Sequence, residues 1–311
     1  MRRDANKPQT PEELKLTASL DEATVDYTLR DETLANVERK KRDCTQIDCA
    51  GQSHVGKVRP HNEDHYFIYR RRLERCVLDT NLHELPYSTP REDVHVLAVA
   101  DGLGGHSFGE LASAMSLQAN GYLGRGSWLA ELAELDPPQV PAQATKDARH
   151  VHRKLLDEAQ RNPQLRGMAS TLTAAVIFNS RLVLIHLGDS RAYLLQGDEL
   201  TQATRDHTLA EEMRQSQVVD PRMVRMANVL TNCLGGDDGQ LRVETREVRW
   251  GLGDQLLICS DGLSDVVTID EIKAALTESP VAEEACNRLM ALALDRGGRD
   301  NITLVVARCI A

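Results

Sequence analysis

The sequence predicts an α+β fold built from antiparallel sheets flanked by helices, and two observations carry that expectation. The apolar runs Thr171–Phe178, Arg181–Leu187 and Arg191–Gln196 are separated only by Asn179-Ser180 and Gly188-Asp189-Ser190, too little chain for a crossover between parallel strands. The helical stretches come in pairs instead of alternating with strands, which argues against a βαβ array.

The elements follow in order. Residues 1–43 are mixed in charge and poor in aromatics, with weak helical pieces such as Pro11-Glu-Glu-Leu-Lys-Leu, and read as a largely disordered tail. Residues 44–311 read as one domain. Gln46–Tyr69 predicts a strand and a turn carrying Arg59, Glu63 and Asp64. Residues 70–91, charged and holding Pro86 and Pro90, read as an insertion. Val94–Ala100 is an apolar run of β type that delivers Asp101 onto the glycine-rich turn Gly102-Leu103-Gly104-Gly105, where the main chain can be approached closely.

A helix is expected over Gly109–Leu123, with Leu111, Ala114, Met115 and Leu117 near one face, and a second over Ala142–Gln160. The three apolar runs named first predict an antiparallel meander, and Gly197-Asp198 marks the next turn. Asp206–Met213 starts a short helix, and residues 214–228, polar and broken by Asp220-Pro221, read as a mobile loop. Strands at Val243–Val248 and Asp254–Cys259, helices at Ile269–Thr277 and Val281–Leu294, and a last strand at Ile302–Arg308 complete the domain.

Composition narrows the function. Lys plus Arg is 37 against 47 for Asp plus Glu, so 37 − 47 = −10, which argues against nucleic acid and anionic membranes as partners. An acid excess is also what a cation site needs. No apolar run approaches a membrane span, and the polar start Met1-Arg-Arg-Asp is not a signal peptide. The seven cysteines include no Cys-x-x-Cys, so neither a zinc knuckle nor a disulfide scaffold is indicated, and a reduced, cytoplasmic protein is expected. Cys259 and Cys309 lie in apolar runs and read as small core residues.

Gly51-Gln-Ser-His-Val-Gly56-Lys57-Val58 matches a P-loop up to its last position, where Val58 stands in place of the magnesium-binding Ser or Thr. A more consistent pattern lies in the acids. Asp101, Asp189, Asp261 and Asp300 each sit beside glycine or near it at a strand–turn boundary. Any one of them alone is best read as a turn residue. Were they to converge, two carboxylates about 4 Å apart would repel by about 4 kcal/mol at an effective dielectric of 20, a cost that cations remove. Oxygen ligands without His or Cys at metal spacing select Mg²⁺ or Mn²⁺ over zinc.

From Cys49 to Cys309 the chain resembles the metal-dependent (PPM, or type 2C) serine/threonine protein phosphatases in their bacterial form. Eight stretches appear in the family's order: Ser53…Gly56…Arg59…Asn62-Glu63-Asp64, Ala100-Asp101-Gly-Leu-Gly-Gly-His-Ser-Phe-Gly-Glu110, Gly167-Met-Ala-Ser-Thr-Leu, His186-Leu-Gly-Asp189-Ser-Arg191, Thr201-Gln-Ala-Thr-Arg-Asp206-His, Leu234-Gly-Gly, Cys259-Ser-Asp261-Gly-Leu-Ser-Asp265 and Gly298-Arg-Asp300-Asn301-Ile.

The resemblance implies a four-layer α-β-β-α sandwich and hydrolysis of phosphoserine and phosphothreonine by a water bridging two Mn²⁺ or Mg²⁺ ions. On these residues it implies that Asp101 bridges both ions, that the Gly102 carbonyl joins one, and that Asp261 and Asp300 complete the other's shell. It further implies that Glu63 and Asp64 hold metal-bound waters, that Arg59 grips the substrate phosphate, and that Asp189 and Asp265 bind a third, weaker ion. Residues 214–228 align with a flap beside the site. Phosphoproteins are the implied substrates, with a Ser/Thr kinase acting on the same targets.

Departures are confined. Leu103 stands where some members carry a histidine that protonates the leaving group, and His106 is the nearest imidazole. Asn232 and Cys233 replace a frequent Arg-Ala pair, a change expected to be harmless. Two rival readings are a pseudophosphatase that binds phosphoproteins without turnover, and a P-loop nucleotide binder. A phosphocysteine route is closed, since no cysteine is followed six positions later by arginine.

Overall fold

Runs of β-branched and aliphatic residues whose two faces are both covered become strands here, and stretches with small or apolar residues on one side become the helices that cover them. The computed structural model describes residues 46–73, 92–103, 107–118, 127–178, 180–216, 229–236 and 239–310. The expected tail at 1–43, His106 and most of the 70–91 and 214–228 segments lie outside them.

The strands are β1 (Gln46–His54), β2 (His65–Leu73), β3 (Glu92–Ala100), β4 (Gly102–Leu103), β5 (Ala169–Ser170), β6 (Leu172–Phe178), β7 (Arg181–Leu187), β8 (Arg191–Gln196), β9 (Glu199–Gln202), β10 (Leu234–Gly235), β11 (Glu244–Arg249), β12 (Gln255–Cys259) and β13 (Ile302–Ile310). The helices are α1 (Ser107–Gln118), α2 (Trp128–Leu132), α3 (Val140–Arg161), α4 (Leu209–Gln215), α5 (Asp261–Ser264), α6 (Ile269–Glu278) and α7 (Ala282–Asp295).

Two five-stranded sheets, β1-β13-β12-β8-β9 and β11-β7-β6-β3-β2, pack face to face, and a small sheet β10-β5-β4 sits apart. Every pairing among the described strands is antiparallel. The layer between the large sheets is apolar: Leu97, Val99, Ala175, Ile177 and Leu184 from one meet Ala192, Leu194, Leu256, Ile258 and Val305 from the other. The outer face of the β11-β7-β6-β3-β2 sheet is covered by α1, α2 and α3 through Leu117, Trp128, Leu129, Leu132, Val151 and Leu155. The outer face of the β1-β13-β12-β8-β9 sheet is covered by α6 and α7 through Ile272, Leu276, Leu289 and Met290. The four-layer α-β-β-α sandwich is thus present.

The structure corrects several local expectations. The meander breaks after β7, because β8 pairs with β9 and β12 in the opposite sheet, so Gly188-Asp189-Ser190 carries the chain from one sheet to the other. The insertion begins later than expected: Arg70–Leu73 extend β2 and pair with Glu92–His95. Arg214 closes α4 instead of opening a loop, and that helix starts at Leu209, capped by the Thr208 hydroxyl.

In α1 the buried positions are Gly109, Ala112, Ser113, Ser116 and Leu117, whereas Leu111 is exposed. Small residues face inward there because the helix runs against the backbone of β4, and Ser113 and Ser116 return their hydroxyls to carbonyls one turn back. Cys49, Cys259 and Cys286 are free thiols, and burial pushes the Cys259 thiol up to about 12. Cys309 is buried in the layer between the sheets, as expected of a core residue, and is in addition disulfide-bonded.

Candidate metal centre

The acids singled out in the sequence leave the ends of strands from both large sheets and turn toward one another. Asp101 follows β3 directly, and Thr171 clamps its backbone. The Asp101 N–H donates to Thr171 Oγ1 (2.9 Å) and the Thr171 N–H donates to the Asp101 carbonyl (2.9 Å). Asp261 opens α5 just past β12, and Asp265 caps the end of that helix. Asp300 precedes β13, with its Oδ1 accepting the Asn301 N–H at 2.8 Å.

Close approach of backbone to backbone holds these turns together. A Cβ on Gly56 would overlap the Asp300 carbonyl oxygen, one on Gly102 would overlap that of Gly109, and one on Gly262 would overlap that of Asn301. Glycine is required at these crossings for lack of a side chain. Asn301 adds a polar stitch. Its amide donates to the carbonyls of Val55 and His61 (both 2.9 Å) and its Oδ1 accepts the Glu63 N–H (2.8 Å). The turn expected to carry Glu63 and Asp64 is therefore tied to the root of β13. Glu63 itself lies where a Cβ on Gly109 would meet its carboxylate, which places that side chain behind Gly102.

Burial and mutual repulsion favour the protonated forms of these acids. Burial first, then Asp64, Asp261, Asp189 and Asp300, drive the Asp101 carboxyl well above the usual carboxylate range. Burial, then Asp189 and Asp300, push Asp261 up to about 8. Asp189 is pushed up to about 6 by burial and then by Asp206 and Asp265, and burial raises Asp265 as well. Asp64 is 4% exposed; burial pushes it up to about 6 even though its Oδ2 accepts the Ser260 hydroxyl at 2.7 Å. Its Oδ1 is buried without a hydrogen-bond partner.

These residues fit divalent cations. All donors are oxygens, and the crowding that raises them is relieved by positive charge. The orphaned Oδ1 of Asp64 also lacks the partner that a buried acceptor calls for. The shell is not preformed: among the described residues no three such side chains are gathered tightly enough to hold one ion as they stand. Asp300 is instead engaged by Arg59, whose Nη2 lies 2.7 Å from Asp300 Oδ2 and whose pKa that hydrogen bond raises.

All nine residues singled out in the sequence thus fall at or beside one locus. Two residues of consequence were not among them. Asp206 takes three hydrogen bonds from Arg191, at 2.6 to 3.1 Å, and is the first charge to raise Asp189. His207 bonds to Gly188, the residue before Asp189. The signal for both was the Asp206-His207 pair closing its motif, which a reading focused on glycine-flanked acids passes over.

The family model described as Protein phosphatase 2C matches residues 86–297. The serine/threonine protein phosphatase PstP of Mycobacterium tuberculosis is 37% identical over 244 residues, covering 77% of this chain and 44% of PstP, so the chain spans less than half the length of that relative. The serine/threonine phosphatase stp of Listeria innocua is 31% identical over 254 residues, covering 81% of this chain and 91% of that protein. A crystal structure of the catalytic domain of PstP in complex with 2 manganese ions superposes with a TM-score of 0.66 at 32% identity, covering 85% of this chain and 99% of that one. The chain belongs to the protein phosphatase 2C family, in the branch of the bacterial serine/threonine phosphatases.

Proposed function

We propose that the chain hydrolyses phosphoserine and phosphothreonine in proteins at a centre of two Mn²⁺ or Mg²⁺ ions, with a third, weaker site beside it. One observation carries this reading. Asp64, Asp101, Asp189, Asp261 and Asp300 come from five separate turns, and their charges oppose one another at one locus with Arg59 at its edge.

In this reading Asp101, the Gly102 carbonyl, Asp261 and Asp300 hold the paired ions, while Asp189 and Asp265 hold the weaker one. Bound there, the cations supply the charge that makes a water nucleophilic near neutral pH and offsets charge on the phosphoryl oxygens. Glu63 and Asp64 stand behind Asp101 and orient what the site binds. Arg59, half-exposed and planar, takes hold of the phosphate oxygens and fixes the ester for in-line attack. Leu103 offers no proton to the leaving group, so that proton comes from solvent in the site.

A kinase that phosphorylates the same targets is the proposed counterpart. The free thiols of Cys49, Cys259 and Cys286 support a reducing, cytoplasmic setting, against which the Cys309 disulfide stands. Among the described residues no helix is long and apolar enough to cross a membrane. The deciding experiment is phosphate release from a phosphothreonine peptide by purified protein with Mn²⁺. Release that chelator abolishes is the expected result; metal binding without release would leave a phosphoprotein-binding module.

A further inference from the structure

The turn that moves the chain between sheets, Gly188-Asp189, is held from outside the acid cluster by a buried polar network. His207 is at its centre. Its backbone N–H donates to the Gly188 carbonyl (2.8 Å), and its Nδ1 accepts the Gly188 N–H (3.1 Å). Both polar groups of Gly188 are thus satisfied by one residue. Gly188 needs that support because its φ is +103° and its α-carbon lies so close to Thr171 that no side chain fits.

The His207 ring is oriented in turn. The Asn232 amide is fixed by a two-way pairing with the Arg242 backbone, its Oδ1 accepting the Arg242 N–H (3.1 Å) and its Nδ2 donating to the Arg242 carbonyl (2.7 Å). The same Nδ2 lies 3.0 Å from His207 Nδ1. With two donors aimed at Nδ1, the ring proton belongs on Nε2, which points at Glu244 Oε2 at 3.2 Å. Glu244 sits on β11 opposite His186, and the His186 ring packs 4.8 Å from that of His207. The Thr231 N–H donates to the His207 carbonyl (2.9 Å), so the segment returning at 229–232 is pinned to the same residue.

We infer that Glu244, Asn232 and His207 form a positioning relay that sets the Gly188-Asp189 turn and thereby the affinity of the cation held by Asp189. The relay rests on the reading of Asp189 as a ligand of the weaker ion. None of its three members touches a cation or substrate; each acts through the next. Asn232, which takes the place of a residue of different shape in the resemblance, has a structural duty here that a longer charged side chain could not perform within the same Arg242 pairing.

The test is Mn²⁺ titrated calorimetrically into the metal-stripped full chain, compared across wild type, Asp189→Ala, Glu244→Ala, Glu244→Gln and Asn232→Ala, with melting temperature read in parallel. The weakest binding phase should vanish in Asp189→Ala. It should weaken about tenfold in Glu244→Ala, the worth of roughly one hydrogen bond, while the tighter phases stay as in wild type. Glu244→Gln keeps an acceptor for the Nε2 proton and should restore the weak phase. Asn232→Ala removes one of two donors at Nδ1, should weaken the phase by about threefold on the same scale, and carries the test if Glu244→Ala does not fold. Unchanged weak binding in Glu244→Ala and Asn232→Ala, with the phase absent in Asp189→Ala, overturns the relay alone. An Asp189→Ala isotherm identical to wild type overturns the ligand reading and the relay with it.

Discussion

Arg59 Nη2 lies 2.7 Å from Asp300 Oδ2, so the guanidinium suited to a phosphate is held by a carboxylate suited to a cation. The pair is open to solvent on both sides, with side chains 53% and 36% exposed, which keeps the contact weak and exchangeable. Under the proposed assignment, a cation on Asp300 would compete with Arg59 and free it for substrate.

Replacing Arg59 therefore has two opposed effects. Arg59→Ala should lower kcat/KM for a phosphopeptide by about 10- to 100-fold, since charge-assisted hydrogen bonds are worth about 1.5–3 kcal/mol. The same variant should bind Mn²⁺ at least as tightly as wild type. A kcat/KM within about threefold of wild type would remove Arg59 from the substrate site.

Four other acids crowd Asp101, so its loss separates stability from activity. Asp101→Asn should abolish binding of the paired ions and reduce turnover by at least about 10³-fold, the several kcal/mol that such ions contribute. In chelator the same variant should melt higher than wild type, because the cost of burying a carboxyl among other acids is gone. Metal content, turnover and melting curves measure all three, and near-wild-type turnover would refute the assignment.

Stability of the metal-free protein should fall with pH. Asp261 is raised to about 8, and Asp64 and Asp189 to about 6. The folded state therefore keeps protons that an unfolded carboxyl releases near about 4, so stability is full below that value and is lost as pH climbs through the folded values. Melting in chelator should be lower at pH 8 than at pH 6, and saturating Mn²⁺ should erase the difference by replacing those protons. A melting temperature that rises over that interval in chelator would show that the acids are not crowded.

Two glycine substitutions should differ sharply. Gly262→Ala drives a methyl into the Asn301 backbone, which cannot give way without moving Asp300 or Asp261, and should cost at least about 3 kcal/mol. Gly167→Ala meets nothing within 4 Å and suffers only its φ of +80°, a strain of about 1–2 kcal/mol. Denaturant midpoints of the two variants compare these costs, and equal losses would mean that the crossing at Gly262 is looser than the structure has it.

Much of this site was legible because its parts are local. Asp101, Asp261 and Asp300 announce themselves by glycine and an adjacent apolar run, and strand and helix periods were readable wherever one face is apolar. Legibility failed where tertiary contact decides. Nothing local to Gly188-Asp189-Ser190 distinguishes a hairpin from a passage between sheets, since that depends on where β8 finds β12. The inward face of α1 is marked by Ala and Ser, residues whose burial reflects the nearness of β4 and not their own hydrophobicity. β9 and α2 are too short for periodicity to register. The His207 network joins residues 188, 207, 232 and 244, an arrangement that no spacing along the chain encodes.

The glycine crossings at Gly56, Gly102 and Gly262 bear on how the molecule is made. Gly56 and Gly262 meet segments near residue 300, and Gly102 meets Gly109 and the Glu63 turn. Such contacts exist only after strands from both ends of the chain have docked, so no isolated half can carry the centre. The cation is then a ligand of the finished fold and not a nucleus for it. It cannot speed the search, but once bound it holds the product, adding about 2.7 kcal/mol when free metal stands at a hundred times its dissociation constant. Cellular lifetime of the protein, as well as its turnover, would follow the supply of manganese or magnesium.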